Sequence, residues 1–173
     1  MIAIDPGGAK GCAVAHFAGG VFDAVITGCS VPWLTRWRPR VVIVERPQVD
    51  GRTRGRERGT LDAAWNGALL AGYIAGTGGA EVRVVEPREW KGSVAKPVHH
   101  KRLWAVLSEH ERAKLGGEAT ERAIVEACER GAAERWRQSG ERYYRAARGA
   151  VTHDALDAVA LGCWATFRLA GPR

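Results

Sequence analysis

The sequence predicts an α/β fold in which one mixed central sheet carries helices on both faces. Three short apolar segments stand close together at the start of the chain, and strands then alternate with helices. The length of 173 residues suits one domain, and no Pro-rich or Ser-rich linker interrupts the chain. We therefore expect a single domain covering residues 1–173.

The first three strands are predicted at residues 2–4, 11–17 and 21–26. The first is a short apolar run that ends at Asp5-Pro6-Gly7, a sequence typical of a turn. The pair Gly19-Gly20 separates the second strand from the third, as in a tight hairpin.

The fourth predicted strand, residues 40–45, is the most hydrophobic in the chain. It contains four consecutive β-branched residues, Val41 to Val44, a run typical of a central strand covered on both faces. Pro47 ends it, because proline cannot continue a central ladder.

A Gly- and Arg-rich loop is predicted over residues 48–59. It precedes a helix over residues 61–75, for which Thr60 is a plausible N-cap. A short strand at residues 81–85 follows, and the periodicity then predicts helices over residues 98–109, 119–138 and 152–169.

The chain is basic. Lys and Arg number 26 against 19 Asp and Glu, which gives a net charge of +7, and 21 of the 26 are arginines. Eight arginines fall between Arg36 and Arg58. The guanidinium group suits phosphate, so a nucleic-acid partner is the first expectation. A solvated basic loop and a GC-rich genome are the alternatives.

The four cysteines are far apart in sequence and form no C-x-x-C pair. We interpret them as small buried residues in a reducing compartment rather than as zinc ligands or disulfides. The sequence shows neither an apolar run of membrane-spanning length nor a signal peptide, so we expect a cytoplasmic protein.

Four carboxylates stand where apolar residues surround them: Asp5, Glu45, Asp154 and Asp157. The first two end strands, where ligands of α/β sheets gather. Asp154 and Asp157 share one helix face. Three of these acids also have ordinary structural explanations. Asp5 could be a turn residue, Glu45 a loop residue, and Asp154 an acid in the first turn of a helix.

These carboxylates could converge on one point, where their repulsion would call for hard divalent cations. Mg²⁺ prefers oxygen ligands, and two such ions can clamp the attacking and leaving oxygens of a phosphodiester. A basic chain with this cluster suggests a nucleic-acid phosphodiesterase.

Three segments together resemble the RuvC family of Holliday-junction resolvases, which has the RNase H-like fold. They are the strand ending in Asp5-Pro6-Gly7, the strand ending in Glu45-Arg46-Pro47, and the helix containing Asp154-Ala155-Leu156-Asp157. Residues 87–104 look more like phage-type members of the family. The resemblance covers nearly the whole chain, and the motifs occur in the family's order.

The resemblance implies a nuclease active in DNA recombination and repair. It makes Asp5, Glu45, Asp154 and Asp157 the catalytic, metal-binding residues for two Mg²⁺ ions, which Mn²⁺ could replace. Some members carry a histidine at the third position; here His153 lies beside Asp154, and we prefer Asp154 for its spacing to Asp157.

The same resemblance implies DNA contacts from Lys91 and Lys101 and a homodimer that cuts a four-way junction at two sites. We add four arginines of the basic loop as DNA contacts: Arg52, Arg54, Arg56 and Arg58. The helix over residues 61–75 carries Trp65, Leu69 and Tyr73 on one face, which serves either the dimer or ordinary core packing.

Other functions stay open. An RNase H-like nuclease that cuts flaps, forks or other branched DNA would need the same acids. A protein that binds junctions without cutting them is a third reading, which the complete set of acids disfavours. A sugar-kinase-like or actin-like ATPase would need two related domains, too many for 173 residues.

Overall fold

The structure is a computed structural model that describes residues 1–7, 11–28, 37–47, 57–131 and 149–171. Its strands are β1 (Ile2–Asp5), β2 (Ala13–Ala18), β3 (Val21–Thr27), β4 (Val41–Glu45) and β5 (Glu81–Val85). The helices in these residues are α1 (Glu57–Gly78), α2 (Pro87–Trp90), α3 (Lys96–Val106), α4 (Glu109–Lys114), α5 (Gly117–Gly131) and α6 (His153–Ala165).

The five strands form one mixed sheet in the order β3-β2-β1-β4-β5. The first three strands pair antiparallel with one another, whereas β4 is parallel to both β1 and β5. Gly19 and Gly20 turn the β2–β3 hairpin with φ of 57° and 82°. Positive φ at both central residues matches the right-handed twist of the strands and requires glycine there.

Helix α1 covers one face of the sheet. Its Leu70, Ala71 and Ile74 pack on alternate residues of the central strands, among them Ile2, Ile4, Val14, Val42 and Val44. Gly67 permits the close approach, because a Cβ at this position would lie 2.8 Å from Cγ of Pro6. The helix therefore crosses directly behind the end of β1.

Helix α6 covers the opposite face and is buried along most of its length. It packs on the other set of strand residues, among them Ala3, Ala13, Ala15, Phe17 and Ile43. At Gly162 a Cβ would lie only 2.0 Å from Cε2 of Phe17, so the helix rests on that ring. A mixed sheet with helices on both faces confirms the predicted α/β fold class.

The segment between β5 and α5 is built on two capping boxes. Glu86 and Glu89 form the first at the start of α2, and Ser108 and Glu111 form the second at the start of α4. Glu111 is buried and also accepts a hydrogen bond from the Phe22 backbone N–H at 2.9 Å. This contact ties α4 to the sheet edge.

Several helix boundaries differ from those predicted, and α6, for example, ends at Ala165 rather than at residue 169. Helix α1 begins at Glu57 rather than after Thr60, so Thr60 lies inside its first turn and is not the N-cap. The helix predicted over residues 98–109 is two helices, because α3 ends at Val106 and Ser108 caps α4. Most of the basic loop predicted at residues 48–59, and residues 132–138, lie outside the described part of the chain.

No helix among the described residues is both long and apolar enough to span a membrane. Three of the four cysteines have free thiols: Cys12 and Cys163 are buried, and Cys128 is partly buried. Cys29 falls outside the described ranges.

Candidate active site

The sheet places two of the predicted acids side by side. Strands β1 and β4 are parallel neighbours with Ile4 opposite Val44, so Asp5 and Glu45 end the two strands at the same edge. Asp157 belongs to the first half of α6, which packs across β1 and β2. All three side chains are buried, as expected for groups at the junction of the sheet and a covering helix.

Asp5 is the acid with the least compensation. Burial raises its pKa well above the usual range, and the nearby negative charges of Asp157 and Glu45 raise it further. Within the described residues no side chain or backbone group donates a hydrogen bond to its carboxylate. A buried carboxylate in this state favours any process that brings a cation close to it.

Glu45 receives hydrogen bonds from two consecutive residues. The indole Nε1 of Trp90 donates to Oε2 at 2.9 Å, and Nζ of Lys91 lies 3.1 Å from Oε1 and 3.0 Å from Oε2. Burial raises the pKa of Glu45, although the charge of Lys91 opposes this effect. The Lys91 ammonium also lies 4.8 Å from the centre of the Trp90 ring.

Asp157 is the best compensated of the acids. Nζ of Lys96 lies 2.6 Å from Oδ2, and Nε2 of His100 lies 2.8 Å from Oδ1. Burial alone would raise the pKa of Asp157, but the charges of Lys96 and Lys91 and the bond from His100 hold it well below its usual range. Asp157 is therefore ionised at neutral pH.

Asp154, the fourth predicted acid, lies at the rim. Its side chain is 41% exposed, and Oδ1 lies 2.6 Å from Nδ1 of His153. Its negative charge contributes to the raised pKa of Lys96, which burial would otherwise lower. Asp154 thus lies near enough to influence Lys96, at a position more exposed than those of the three buried acids.

The predicted DNA contacts are placed differently from one another. Lys91 lies in the carboxylate cluster, whereas Lys101 is exposed on α3. Burial raises the pKa of the Cys128 thiol, and the positive charge of Lys101 opposes this effect. Arg58 is exposed in the first turn of α1. Arg52, Arg54 and Arg56 lie outside the described residues, so their role and that of Lys101 stay predictions.

Three residues of this site were not predicted from the sequence: Trp90, Lys96 and His100. Lys96 and His100 are four residues apart on α3, and that spacing puts their side chains on one helix face. The spacing was visible in the sequence. What it could not show is that this face turns toward Asp157.

The ligand atoms that these acids offer are of the type that a hard divalent cation prefers. Asp5, Glu45 and Asp157 supply carboxylate oxygens, which Mg²⁺ prefers, and Asp5 has no other partner in the described residues. Within those residues no three His, Cys, Asp or Glu side chains converge closely enough to enclose an ion. Here Lys91 and Lys96 provide the positive charge next to Glu45 and Asp157.

No protein-family model matches this chain, and no curated protein sequence matches it either. Among solved structures, the chain is similar to T. thermophilus RuvC in complex with Holliday junction substrate, with 15% sequence identity and a TM-score of 0.41. The match covers 94% of this chain and 90% of that chain. The functional conclusion therefore depends on the residues of this chain.

Proposed function

We propose that this chain, acting as one RNase H-like domain over residues 1–173, is a Mg²⁺-dependent endonuclease that cleaves four-way DNA junctions. The observation that carries the proposal is the buried cluster of Asp5, Glu45 and Asp157 beside two lysines, in a chain of net charge +7. Buried acids of this kind suit a site that binds cations and, through them, phosphate. The motifs that contain these acids resemble those of RuvC resolvases.

Asp5, Glu45 and Asp157 would hold the metal, with Asp154 as a fourth ligand at the rim. When bound, two Mg²⁺ ions supply an activated water and stabilise the leaving 3′ oxygen, and Mn²⁺ can substitute for them. The products are a 5′-phosphate and a 3′-hydroxyl. Asp5 is the first residue to engage, because its carboxylate has no partner among the described residues to give up.

Lys91 and Lys96 have two tasks in this proposal. Their ammonium groups balance Glu45 and Asp157 in the structure, and they compete with a metal ion for the same oxygens. Both side chains are partly exposed, at 22% and 32%, so they can also reach outward. When released from the acids, they lie next to the cluster and can neutralise the phosphate that is cleaved.

Exposed arginines extend this positive region. Arg46 directly follows Glu45 and is 67% exposed, and Arg88 on α2 is 78% exposed. Both lie beside Glu86, at 3.7 Å and 2.6 Å. With Arg58, and with the arginines of the predicted basic loop, they supply sequence-independent contacts to the DNA backbone.

A homodimer fits the exposed face of α1. Leu61, Trp65, Leu69 and Tyr73 recur every four residues and are 62%, 66%, 55% and 43% exposed. Core packing is the alternative role for this face, but the residues of α1 that pack into the core are Leu70, Ala71 and Ile74. A second copy of the chain would cover the exposed residues and bring a second active site to the junction.

The two alternative functions keep the same site. A nuclease for flaps, forks or other branched DNA would use the same acids, and only the shape of the substrate would differ. A junction-binding protein that does not cut would need no buried acid cluster, which repels phosphate unless cations compensate it. We therefore rank junction cleavage first. For the location of the enzyme we propose the cytoplasm, as expected from the sequence.

The test is cleavage of a synthetic four-way junction, a linear duplex and a flap, each with Mg²⁺ or with EDTA. We expect symmetric, Mg²⁺-dependent nicks confined to the junction, with 5′-phosphate ends that ligase can rejoin. Asp5→Asn and Asp157→Asn should abolish cutting, whereas Glu109→Gln, at an exposed position on α4, should not. Equal cutting of flaps would favour the broader nuclease, and tight binding without cleavage would favour the non-cutting protein.

A further inference from the structure

Glu45 and Asp157 are held in the same way, although they come from different parts of the fold. Each accepts one hydrogen bond from a ring N–H and is contacted by one lysine. For Glu45 the ring is the indole of Trp90, 2.9 Å away, and for Asp157 it is the imidazole of His100, 2.8 Å away. The lysines are Lys91 and Lys96.

The two kinds of contact differ in burial. Trp90 is 1% exposed and His100 is 0% exposed, so both rings approach their carboxylates from the protein interior. The two lysines are partly exposed and approach from the side open to water. A lysine can therefore leave its carboxylate for solvent or a ligand, whereas a ring cannot move without disturbing the core around it.

We propose that Trp90 and His100 are positioning residues, which fix the Glu45 and Asp157 carboxylates while the lysine contacts on the open side are exchanged. The kinetic part of this inference rests on the proposed nuclease function. Its structural part, two ring-to-carboxylate hydrogen bonds that persist without the lysines, does not.

The rings are themselves locked in place. His99 packs edge-on against Trp90 with ring centres 5.0 Å apart. Asp157 contacts the Lys96 ammonium at 2.6 Å through Oδ2, as a carboxylate acceptor does, so Nε2 of His100 is assigned as the donor to Oδ1. Partners that lock the orientation of a ligating side chain are worth about 10–100-fold in metal affinity or activity.

Trp104 provides a matched comparison. It is also a buried tryptophan, 5% exposed, and its Nε1 has no hydrogen-bond partner in the part of the chain that the structure describes. Burial of an indole in this protein therefore does not demand a partner. The Trp90–Glu45 bond is a specific feature of the carboxylate cluster.

The kinetic test compares Trp90→Phe with Trp104→Phe, since both changes keep an aromatic ring and remove an indole N–H. We expect Trp90→Phe to lower kcat about 10–100-fold with junction affinity within twofold of wild type, and Trp104→Phe to leave kcat unchanged. His100→Leu should behave like Trp90→Phe. His100→Gln, whose amide nitrogen reaches the position of Nε2, should recover part of the activity.

A second measurement keeps the inference testable if the protein does not cut junctions. In protein with ¹⁵N-labelled tryptophan, the indole N–H signals of Trp90 and Trp104 are identified from the two Phe variants. Glu45→Gln should move the Trp90 signal and leave that of Trp104 in place, and Lys91→Gln should leave the Trp90 N–H protected from exchange. A Trp90 signal that ignores Glu45→Gln, or equal kinetic losses in the two Phe variants, would overturn the proposal.

Discussion

The ammonium nitrogen of Lys96 lies 2.6 Å from Oδ2 of Asp157, and Lys91, five residues earlier, makes the corresponding contact with Glu45 at 3.0 Å. Two lysines thus oppose three buried acids. Among the described residues, the third acid, Asp5, has only the through-space attraction of both ammonium groups. In the described part of the chain the buried acids thus outnumber the lysines that compensate them, and this difference makes the cluster responsive to cations.

Removing Lys96 should make the protein depend on a metal for stability. We expect Lys96→Gln to lower the free energy of unfolding in EDTA by about 2 kcal/mol, between the values for exposed and for fully buried pairs. Mg²⁺ should restore more stability to the variant than to wild type, because it replaces the missing charge. Thermal unfolding with and without Mg²⁺ measures both effects, and Lys101→Gln, an exposed change on the same helix, is the control.

Asp5→Asn should stabilise the metal-free protein while it abolishes cleavage. The raised pKa of Asp5 means that its ionised form opposes folding, so at neutral pH a neutral amide is better tolerated. The stability gained over wild type should grow as pH rises above 3.8 and level off above the raised pKa of the native state. Urea unfolding in EDTA across that range gives the curve; a variant less stable than wild type at every pH would contradict it.

Glu111 should control stability in acid. The bidentate contact with Arg168, together with hydrogen bonds from Ser108 and Phe22, lowers its pKa to about 2 despite burial. A lowered pKa stabilises the native state above pH 4.5, and this contribution is lost as pH falls toward 2. Glu111→Gln should cost about 2 kcal/mol at pH 7 and show a shallower acid dependence. Glu109→Gln, exposed in the same helix, should follow wild type in both.

Gly162→Ala tests how closely α6 packs against the sheet. The new methyl would collide with the buried ring of Phe17, and we expect a loss of about 1–3 kcal/mol. Gly59→Ala, in the first turn of α1, meets nothing within 4 Å and should not lower stability. Urea unfolding of both variants makes the comparison, and equal effects would show that α6 can shift without cost.

The exposed face of α1 predicts the oligomeric state. We expect Trp65→Glu and Leu69→Glu to convert a dimer into a monomer, because each places a charge in the middle of an apolar contact. Val125→Glu makes the same change at a 40% exposed position on α5 and should leave the dimer intact. Sedimentation equilibrium distinguishes the cases. A wild-type monomer at all concentrations would reject this interface.

It could be predicted that Asp5, Glu45 and Asp157 lie near one another, because strand ends and helix spacing are local properties of the sequence. Asp5 and Glu45 are predicted as site residues because each ends an apolar strand. Asp157 is predicted because it is an acid within an apolar helix. Trp90, Lys96 and His100 could not be predicted, because their roles depend on how α2 and α3 pack against β4 and α6. That packing is a tertiary relationship, which no period in the sequence encodes.

The helix boundaries likewise include some that local sequence signals predict and some that they do not. Ser108 and Glu111 have the spacing of a capping box, so the break between α3 and α4 was present in the sequence as a local signal. Helix α1 extends to Glu57, three residues before its plausible cap at Thr60. Local capping preferences are worth only about 1 kcal/mol, so a helix can extend past a suitable residue.

Asp5, Glu45 and Asp157 come from three separate places in the chain, whereas the four partners of Glu45 and Asp157 among the described residues lie within residues 90–100. One local opening of this stretch, with the sheet still folded, would remove these four partners from Glu45 and Asp157 at the same moment. Short segments that open as cooperative units are a common feature of native proteins. Hydrogen exchange should therefore report residues 90–100 opening together, and the site should lose or regain its organisation as a single unit.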